Sequence, residues 1–95
     1  MPKWTQDQAV AFEAARECLT DMMGIYSATI AAEEACTLPN ATRLAELEAE
    51  LDSLAAERAS LRLHDEDRVA AVRETFGPRI RDHRMQQAHS DQAAA

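Results

Sequence analysis

Hydrophobic residues recur at helical spacing along three stretches of the chain, and polar residues occupy most positions between them. The first stretch begins after Thr5, which can cap a helix together with Gln8 in a capping box. Its large apolar residues fall on one face of a helix that we expect over about residues 5–36. They are Phe12, Leu19, Met22, Tyr26 and Ile30.

The second stretch, "RLAELEAELDSLAAERASL", repeats leucine with the heptad spacing of a coiled coil. The segment "TLPNAT" before it contains Pro39, which disfavours helix at the preceding residue, while Asn40 or Thr42 can cap the next helix. The pattern predicts a short loop and then a helix over about residues 41–62. The residues at the two apolar heptad positions are Leu44, Leu47, Leu51, Leu54, Arg58 and Leu61.

The third stretch opens with "LHDED", in which acidic residues suit a helix N-terminus and His64 or Asp65 can act as the cap. It predicts a break and then a helix over about residues 65–88. Gly77 and Pro78 interrupt this helix, so we expect a kink or a restart there. The apolar stripe of the third helix consists of Val69, Val72, Phe76 and Ile80.

The composition agrees with a helical protein, because glycine (2) and proline (3) are scarce and alanine, glutamate, leucine and arginine are abundant. The sequence therefore predicts an all-α fold. It consists of an antiparallel helical hairpin with coiled-coil character and a third, C-terminal helix kinked at Gly77-Pro78, which together form a small three-helix bundle. Residues 1–88 are expected to form one helical domain and residues 89–95 a flexible tail.

The leucine stripe of the second helix has two candidate partners, the first helix of the same chain and a second copy of the protein. In a parallel dimer Arg43 would face Glu48 and Glu57 would face Arg62, so opposite charges would meet. The short loop favours packing against the first helix instead. The sequence leaves both arrangements open.

Arg58 occupies one of the apolar heptad positions and weakens the stripe there. We expect its side chain to reach toward an acid of the first helix, Glu13 or Glu17. A chain of 95 residues gains little net stability from its own core, which favours self-association as a homodimer.

The formal net charge of −7 argues against a general nucleic-acid-binding protein, which needs positive charge facing the phosphates. The charge is unevenly distributed, since residues 1–57 carry a net −8 and residues 58–95 a net +1. The two parts can attract each other within one chain or between chains.

Two groups of charged residues are candidate partner contacts. One is a cluster of arginines in the third helix, and the other is a set of acids in the second. An ordinary solvated helix surface is the default explanation of either group. The candidate contacts are Arg73, Arg79, Arg81, Arg84, Glu46, Glu48 and Glu50.

The chain carries none of the motifs that specify catalysis, a cofactor or a metal. It contains no Cys-x-x-Cys, no histidine pair at helical spacing, no Glu-x-x-His and no glycine-rich phosphate loop. We therefore expect a non-enzymatic protein with no cofactor and no metal.

The hydropathy of the chain and its cysteines indicate the cellular compartment. No stretch is apolar enough to suggest a signal sequence or a membrane span, and Cys18 and Cys36 are too far apart on one helix for a disulfide. We expect reduced thiols in a cytoplasmic protein.

The function that the sequence favours is a small protein–protein interaction module, an adaptor or regulator that associates through helical packing. One alternative is an acidic inhibitor that mimics nucleic acid and blocks a basic groove of its partner. A second alternative is a DNA-associated regulator that uses the C-terminal arginines.

Overall fold

A computed structural model describes the backbone of residues 5–94 and the side chains of residues 5–91. It contains three helices, α1 (Gln6–Glu34), α2 (Ala41–Ser60) and α3 (Glu66–Ala94), and the described residues form no strand. Helix α1 packs against both α2 and α3. The predicted all-α three-helix bundle is confirmed.

The capping box at the start of α1 is present. The Thr5 hydroxyl accepts a hydrogen bond from the Gln8 backbone N–H at 3.0 Å, and the Gln8 side chain accepts one from the Thr5 N–H at 2.7 Å. Two N–H groups that the first helical turn cannot satisfy are therefore bonded.

The loop between α1 and α2 is fixed by side chains from both of its ends. The Asn40 side chain accepts a hydrogen bond from the Arg43 N–H at 3.0 Å and so caps α2. Glu33, in the last turn of α1, accepts the Asn40 N–H at 3.1 Å and pairs with the Arg43 guanidinium at 3.4 Å. One carboxylate thus ties the end of α1 to the start of α2.

The cap residue gives a matched pair of variants. Asn40→Ala is expected to lower the free energy of unfolding by about 1 kcal/mol, because a backbone N–H of α2 loses its partner. Thr42→Ala removes a hydroxyl from an exposed position inside the helix and is expected to change it by less than about 0.5 kcal/mol. Urea denaturation followed by circular dichroism measures both, and equal effects would show that Asn40 is not the cap.

Helix α3 begins after a break at residues 61–65, as the sequence predicts. Asp65 is its cap, since the Asp65 carboxylate accepts a hydrogen bond from the Arg68 N–H at 3.2 Å. The helix runs without interruption through Gly77 and Pro78, so the predicted restart does not occur, and the bend there stays a prediction.

The C-terminal boundary of α3 differs from the prediction. The helix continues past residue 88 to Ala94, where the sequence suggests a flexible tail from residue 89. Alanine and glutamine have high helix propensity, and no proline or glycine follows Pro78 to stop the helix. The last residue of the predicted tail, Ala95, lies outside the described part of the chain.

The helices run up, down and up. Arg58 near the end of α2 contacts Thr20 of α1, while the start of α2 meets the end of α1, so these two helices are antiparallel. Gln8 bonds Glu66 near the starts of α1 and α3, and Asp21 pairs with Arg84 further along both, so α1 and α3 are parallel. Helix α1 therefore lies between its two partners.

The core is the strip along which α1 meets both neighbours. Its centre is Leu19, with an exposed fraction of 0%, and the residues that join it from the other two helices are almost as fully buried. The remaining members of the predicted packing stripe are half-buried, and of these Phe12, Tyr26 and Phe76 pack against the core. The buried members are Leu19, Met22, Leu47, Leu54, Leu61, Val69, Val72 and Ile80, and the half-buried ones are Phe12, Tyr26, Ile30, Leu44, Leu51 and Phe76.

Arg58 does not reach either of the acids named as its expected partners. Its Nε atom donates to the Thr20 hydroxyl at 2.9 Å, and Glu13 instead pairs with Arg16 of the same helix at 3.5 Å. Thr20 is the polar side chain of α1 that lies opposite Arg58. The half-buried Arg58 therefore forms its hydrogen bond with Thr20.

Replacing Arg58 tests which partner the leucine stripe has. Arg58→Leu is expected to shift the free energy of unfolding by less than about 1 kcal/mol, since a hydrogen bond is lost and apolar burial is gained. The oligomeric state should not change, because the stripe already faces α1. Sedimentation velocity measures the oligomeric state. Arg62→Leu, at an exposed position, is the control for nonspecific hydrophobic association. Tighter self-association in Arg58→Leu alone would show that the stripe serves a second chain.

Candidate interaction surface

The four arginines proposed as partner contacts do not form one patch. Arg84 pairs with Asp21 of α1 at 3.2 Å, and Arg73 lies on the same side of α3, beside Gln8. Arg79 lies on the side that faces α2, where its guanidinium sits 5.5 Å from the centre of the Phe76 ring. The positive charge of α3 is therefore divided between its two edges, with Arg81 exposed as well.

The three acids of α2 are also divided. Glu46, Glu48 and Glu50 are exposed. Residues four apart share one side of a helix and residues two apart do not, so Glu46 and Glu50 lie together and Glu48 lies on the opposite side. Glu50 is the member of the set that borders α3 across a groove.

This groove lies between α2 and α3. Each of these helices packs on α1, yet no Cα atom of α2 lies within 8 Å of one of α3 in the described chain. Two hollows of about 260 and 500 Å³ open along the space between them. We call this space the α2/α3 groove.

The floor of the α2/α3 groove is apolar and its rims are charged. Leu54, Val72 and Phe76 line the narrow part near the α2–α3 connection. Met22 and Tyr26 of α1 line the wider part, with Tyr26 only half-buried. The groove therefore offers a hydrophobic strip between two rows of polar side chains.

Charged side chains of both signs line the groove. Near the connection, Arg68 of α3 pairs with Glu57 of α2 at 2.5 Å. Glu50 of α2 lines the same hollow beside Phe76. At the wide end, Arg43 of α2 lines the groove with Arg79 and Asp82 of α3. Among the described side chains, the Arg68–Glu57 pair is the only ion pair across the groove.

The described residues show no group of three histidine, cysteine or acidic side chains placed to hold a metal ion. His83 is half-buried at the wide end of the groove, with Asp82 beside it in sequence. His64 is exposed in the connection between α2 and α3.

The two cysteines differ in environment. Both are free thiols, with Cys36 exposed at the end of α1 and Cys18 half-buried beside the core. Burial raises the pKa of the Cys18 thiol, and the nearby Asp21 carboxylate raises it further, while Arg73 and Arg84 act in the opposite direction. The thiolate form of Cys18 is therefore disfavoured at neutral pH.

Alkylation with iodoacetamide is expected to modify Cys36 first. At pH 7 we expect Cys18 to react at least about tenfold more slowly, because it is partly shielded and its pKa is raised. Its rate should approach that of Cys36 only as the pH rises above the ordinary thiol range. Mass spectrometry of Cys18→Ser and Cys36→Ser variants measures each rate separately, and a faster Cys18 would contradict the described environment.

No described helix has the length and apolarity needed to cross a membrane. Comparison of the chain with protein-family models, with curated proteins and with solved structures finds no match.

Sequence reasoning did not find the groove itself. It is formed by the way α2 and α3 diverge over α1, and the residues on its rims look like ordinary solvated helix positions. The one signal in the sequence is the position of Arg43, Glu50 and Glu57, which recur every seven residues along one side of α2.

Proposed function

We propose that the chain is a small, non-enzymatic protein-interaction module, an adaptor or regulator, which binds a helix in the α2/α3 groove. The observation that carries this proposal is the open groove, with an apolar floor and charged rims, between two helices that α1 holds apart. An amphipathic helix binds such a groove through its apolar face and leaves its polar face at the rims.

The side chains in the groove suit this role. Tyr26 lies half-buried at the wide end, where its amphipathic ring can contact a partner. Covering the half-buried Tyr26 and Phe76 would remove further apolar surface from water. A helix in this position also completes a four-helix arrangement around the floor of the groove.

The two alternative functions lack comparable support. A nucleic-acid mimic needs acids on one face, and Glu48 points away from Glu46 and Glu50. A DNA-associated regulator needs its arginines on one face, and Arg84 is engaged with Asp21 while Arg79 lies on the other edge of α3. The proposed setting is the cytoplasm, where free thiols stay reduced.

Site-specific photo-crosslinking tests the proposal in the source cell. The photoreactive residue p-benzoylphenylalanine replaces Thr75, which is exposed in the groove, or Ala56, which is exposed on the outer side of α2. We expect adducts from position 75 and not from position 56, with the crosslinked peptide falling in an amphipathic helix of the partner. Filling the groove with Ala71→Trp should abolish the adduct. Equal crosslinking from both positions, or none from position 75, would contradict the proposal.

A further inference from the structure

We propose that Gly77 and Pro78 form a hinge in α3, on which the last part of the helix swings and so changes the width of the α2/α3 groove. We call this part, residues 81–94, the distal arm. The ion pair between Asp21 of α1 and Arg84 is the latch that holds the arm against α1. The role of the hinge rests on the proposed function, because the arm forms a rim of the same groove, but its motion can be measured on the chain alone.

The backbone of α3 is weakest at the hinge. Pro78 lies inside the helix and has no N–H, so the carbonyl of Glu74 lacks its usual partner four residues later. Sharp changes of helix direction occur at such positions. A Cβ atom at Gly77 would meet nothing within 4 Å, so the packing around this residue leaves room for a bend.

Packing holds α3 firmly before the hinge and weakly after it. Val69 and Val72 are buried in the core, and Ile80 is the last buried residue among the described side chains of the helix. Beyond it His83 is half-buried, and every residue from 84 to 91 is exposed. A segment with so few buried apolar contacts moves more easily than the rest of the domain.

The latch is the one ion pair that joins the distal arm to another helix among the described side chains. Its two atoms, Nη2 of Arg84 and Oδ2 of Asp21, are 3.2 Å apart, and the arginine is exposed. Exposed ion pairs contribute little to stability, so this pair opens readily. It lies on the edge of α3 that faces away from the groove and therefore holds the arm away from α2.

The surroundings of His83 give the arm room to move. His83 lines the hollow of about 500 Å³ at the wide end of the groove. It also lines a second hollow of about 300 Å³ between α1 and α3, on the edge where Asp21 and Arg84 lie. Closely packed side chains leave few such spaces, so the arm is not locked in place on either side.

Motion of the arm changes one end of the groove only. Asp82, His83 and Gln86 of the arm line the wide end. Leu47 on the facing rim is buried, so that rim stays fixed. A swing toward α2 therefore narrows the wide end. The hollow near the connection keeps its width, because the residues of α3 that line it precede Gly77.

Double electron–electron resonance on the full chain tests the hinge, with spin labels at Glu46→Cys on α2 and Ser90→Cys on the arm. Both positions are exposed, and Cys18→Ser and Cys36→Ser remove the native thiols. Ser90 lies about 18 Å along the helix from Pro78, so a change of about 20° in the bend moves it by about 6 Å. We expect a distance distribution broader by about this amount than that of a control pair with the second label at Thr75→Cys, before the hinge.

Two variants separate a hinge from fraying of the helix end. Pro78→Ala restores the hydrogen bond to Glu74 and should narrow the distribution at least about twofold. Asp21→Asn releases the arm, which then swings toward α2 because this covers the apolar floor of the groove. The mean distance should shorten by about 4 Å. Glu17→Gln, which makes the same charge change at an exposed position of α1, should leave the distance unchanged.

Three outcomes would overturn the inference. They are a distribution as narrow as that of the control pair, a broad distribution that Pro78→Ala leaves unchanged, and a mean distance that Asp21→Asn does not shorten. Circular dichroism on each variant excludes unfolding as the cause. If the arm does not swing while position 75 crosslinks to a partner, the proposed function stands and the hinge fails. If the arm swings while position 75 crosslinks to nothing, the hinge stands and the proposed function fails.

Discussion

The Leu19→Ala variant is expected to lose about 3 kcal/mol of unfolding free energy, because truncating a fully buried leucine both removes apolar burial and opens a cavity. Leu19 is the largest side chain of the described chain that is completely buried, and it lies in the core cluster with Leu54 of α2 and Val72 of α3. One truncation therefore weakens both contacts of α1. A small helical domain has only a few kcal/mol in total, so the variant should be largely unfolded at room temperature.

Urea denaturation monitored by far-ultraviolet circular dichroism measures the effect. Val10→Ala is the matched control, since Val10 lies on the same helix with an exposed fraction of 62%. It is expected to change the free energy of unfolding by less than about 0.5 kcal/mol. Similar losses at both positions would contradict a core centred on Leu19.

Pro78→Ala is expected to raise the free energy of unfolding by about 2 kcal/mol. Pro78 inside α3 supplies no N–H to the carbonyl of Glu74 and crowds it, which costs the helix about 3 kcal/mol. Replacing the proline also makes the unfolded chain more flexible, and this offsets about 1 kcal/mol of the stabilisation. The change affects the free energy of unfolding of the whole domain because Ile80, two residues further along the same helix, is buried in the core.

Gly77→Ala serves as the comparison for this effect. A Cβ atom at Gly77 would meet nothing within 4 Å, and its backbone does not need a positive φ. We expect a smaller gain, about 0.5–1 kcal/mol, from helix propensity alone. Thermal unfolding of both variants checks the order. Destabilisation by Pro78→Ala would instead show that a bend at this proline is needed to seat Ile80 in the core.

Features that depend on neighbouring residues could be predicted from the sequence. Thr5, Asn40 and Asp65 cap the three helices, because each has a short polar side chain placed directly before an apolar-periodic segment. The loop at Pro39 and the break after Leu61 arise from equally local signals. Helix ends without a stop signal could not be placed, which is why α3 extends past residue 88.

Features that depend on how the helices lie in space could not be predicted. Ala15 has an exposed fraction of 0%, yet it is too small to stand out beside Leu19 in a periodic pattern. It is buried because α1 is covered by two helices rather than one. The arrangement of the helices also divides the arginines of α3 between its two edges. It likewise places Arg58 next to the Thr20 hydroxyl and not next to an acid.

The leucine stripe of α2 shows the limit of sequence reasoning most clearly. A heptad pattern specifies a partner helix but not the chain that supplies it. In the structure Leu54 and Leu61 join Leu19 in one core, and Leu47 lies beside Met22. The stripe is therefore covered by α1 of the same chain, and the surface left for a partner is the α2/α3 groove.

Isotope-filtered nuclear Overhauser spectroscopy on a mixture of labelled and unlabelled chains tests most directly whether α1 of the same chain covers the leucine stripe. We predict that contacts between Leu54 methyl groups and Leu19 appear only within one chain. Any contacts between chains should come from groove residues such as Thr75 and Phe76. Contacts between chains from the methyl groups of Leu47 or Leu54 to α1 would show that the leucine stripe joins two copies, and would contradict an intrachain stripe.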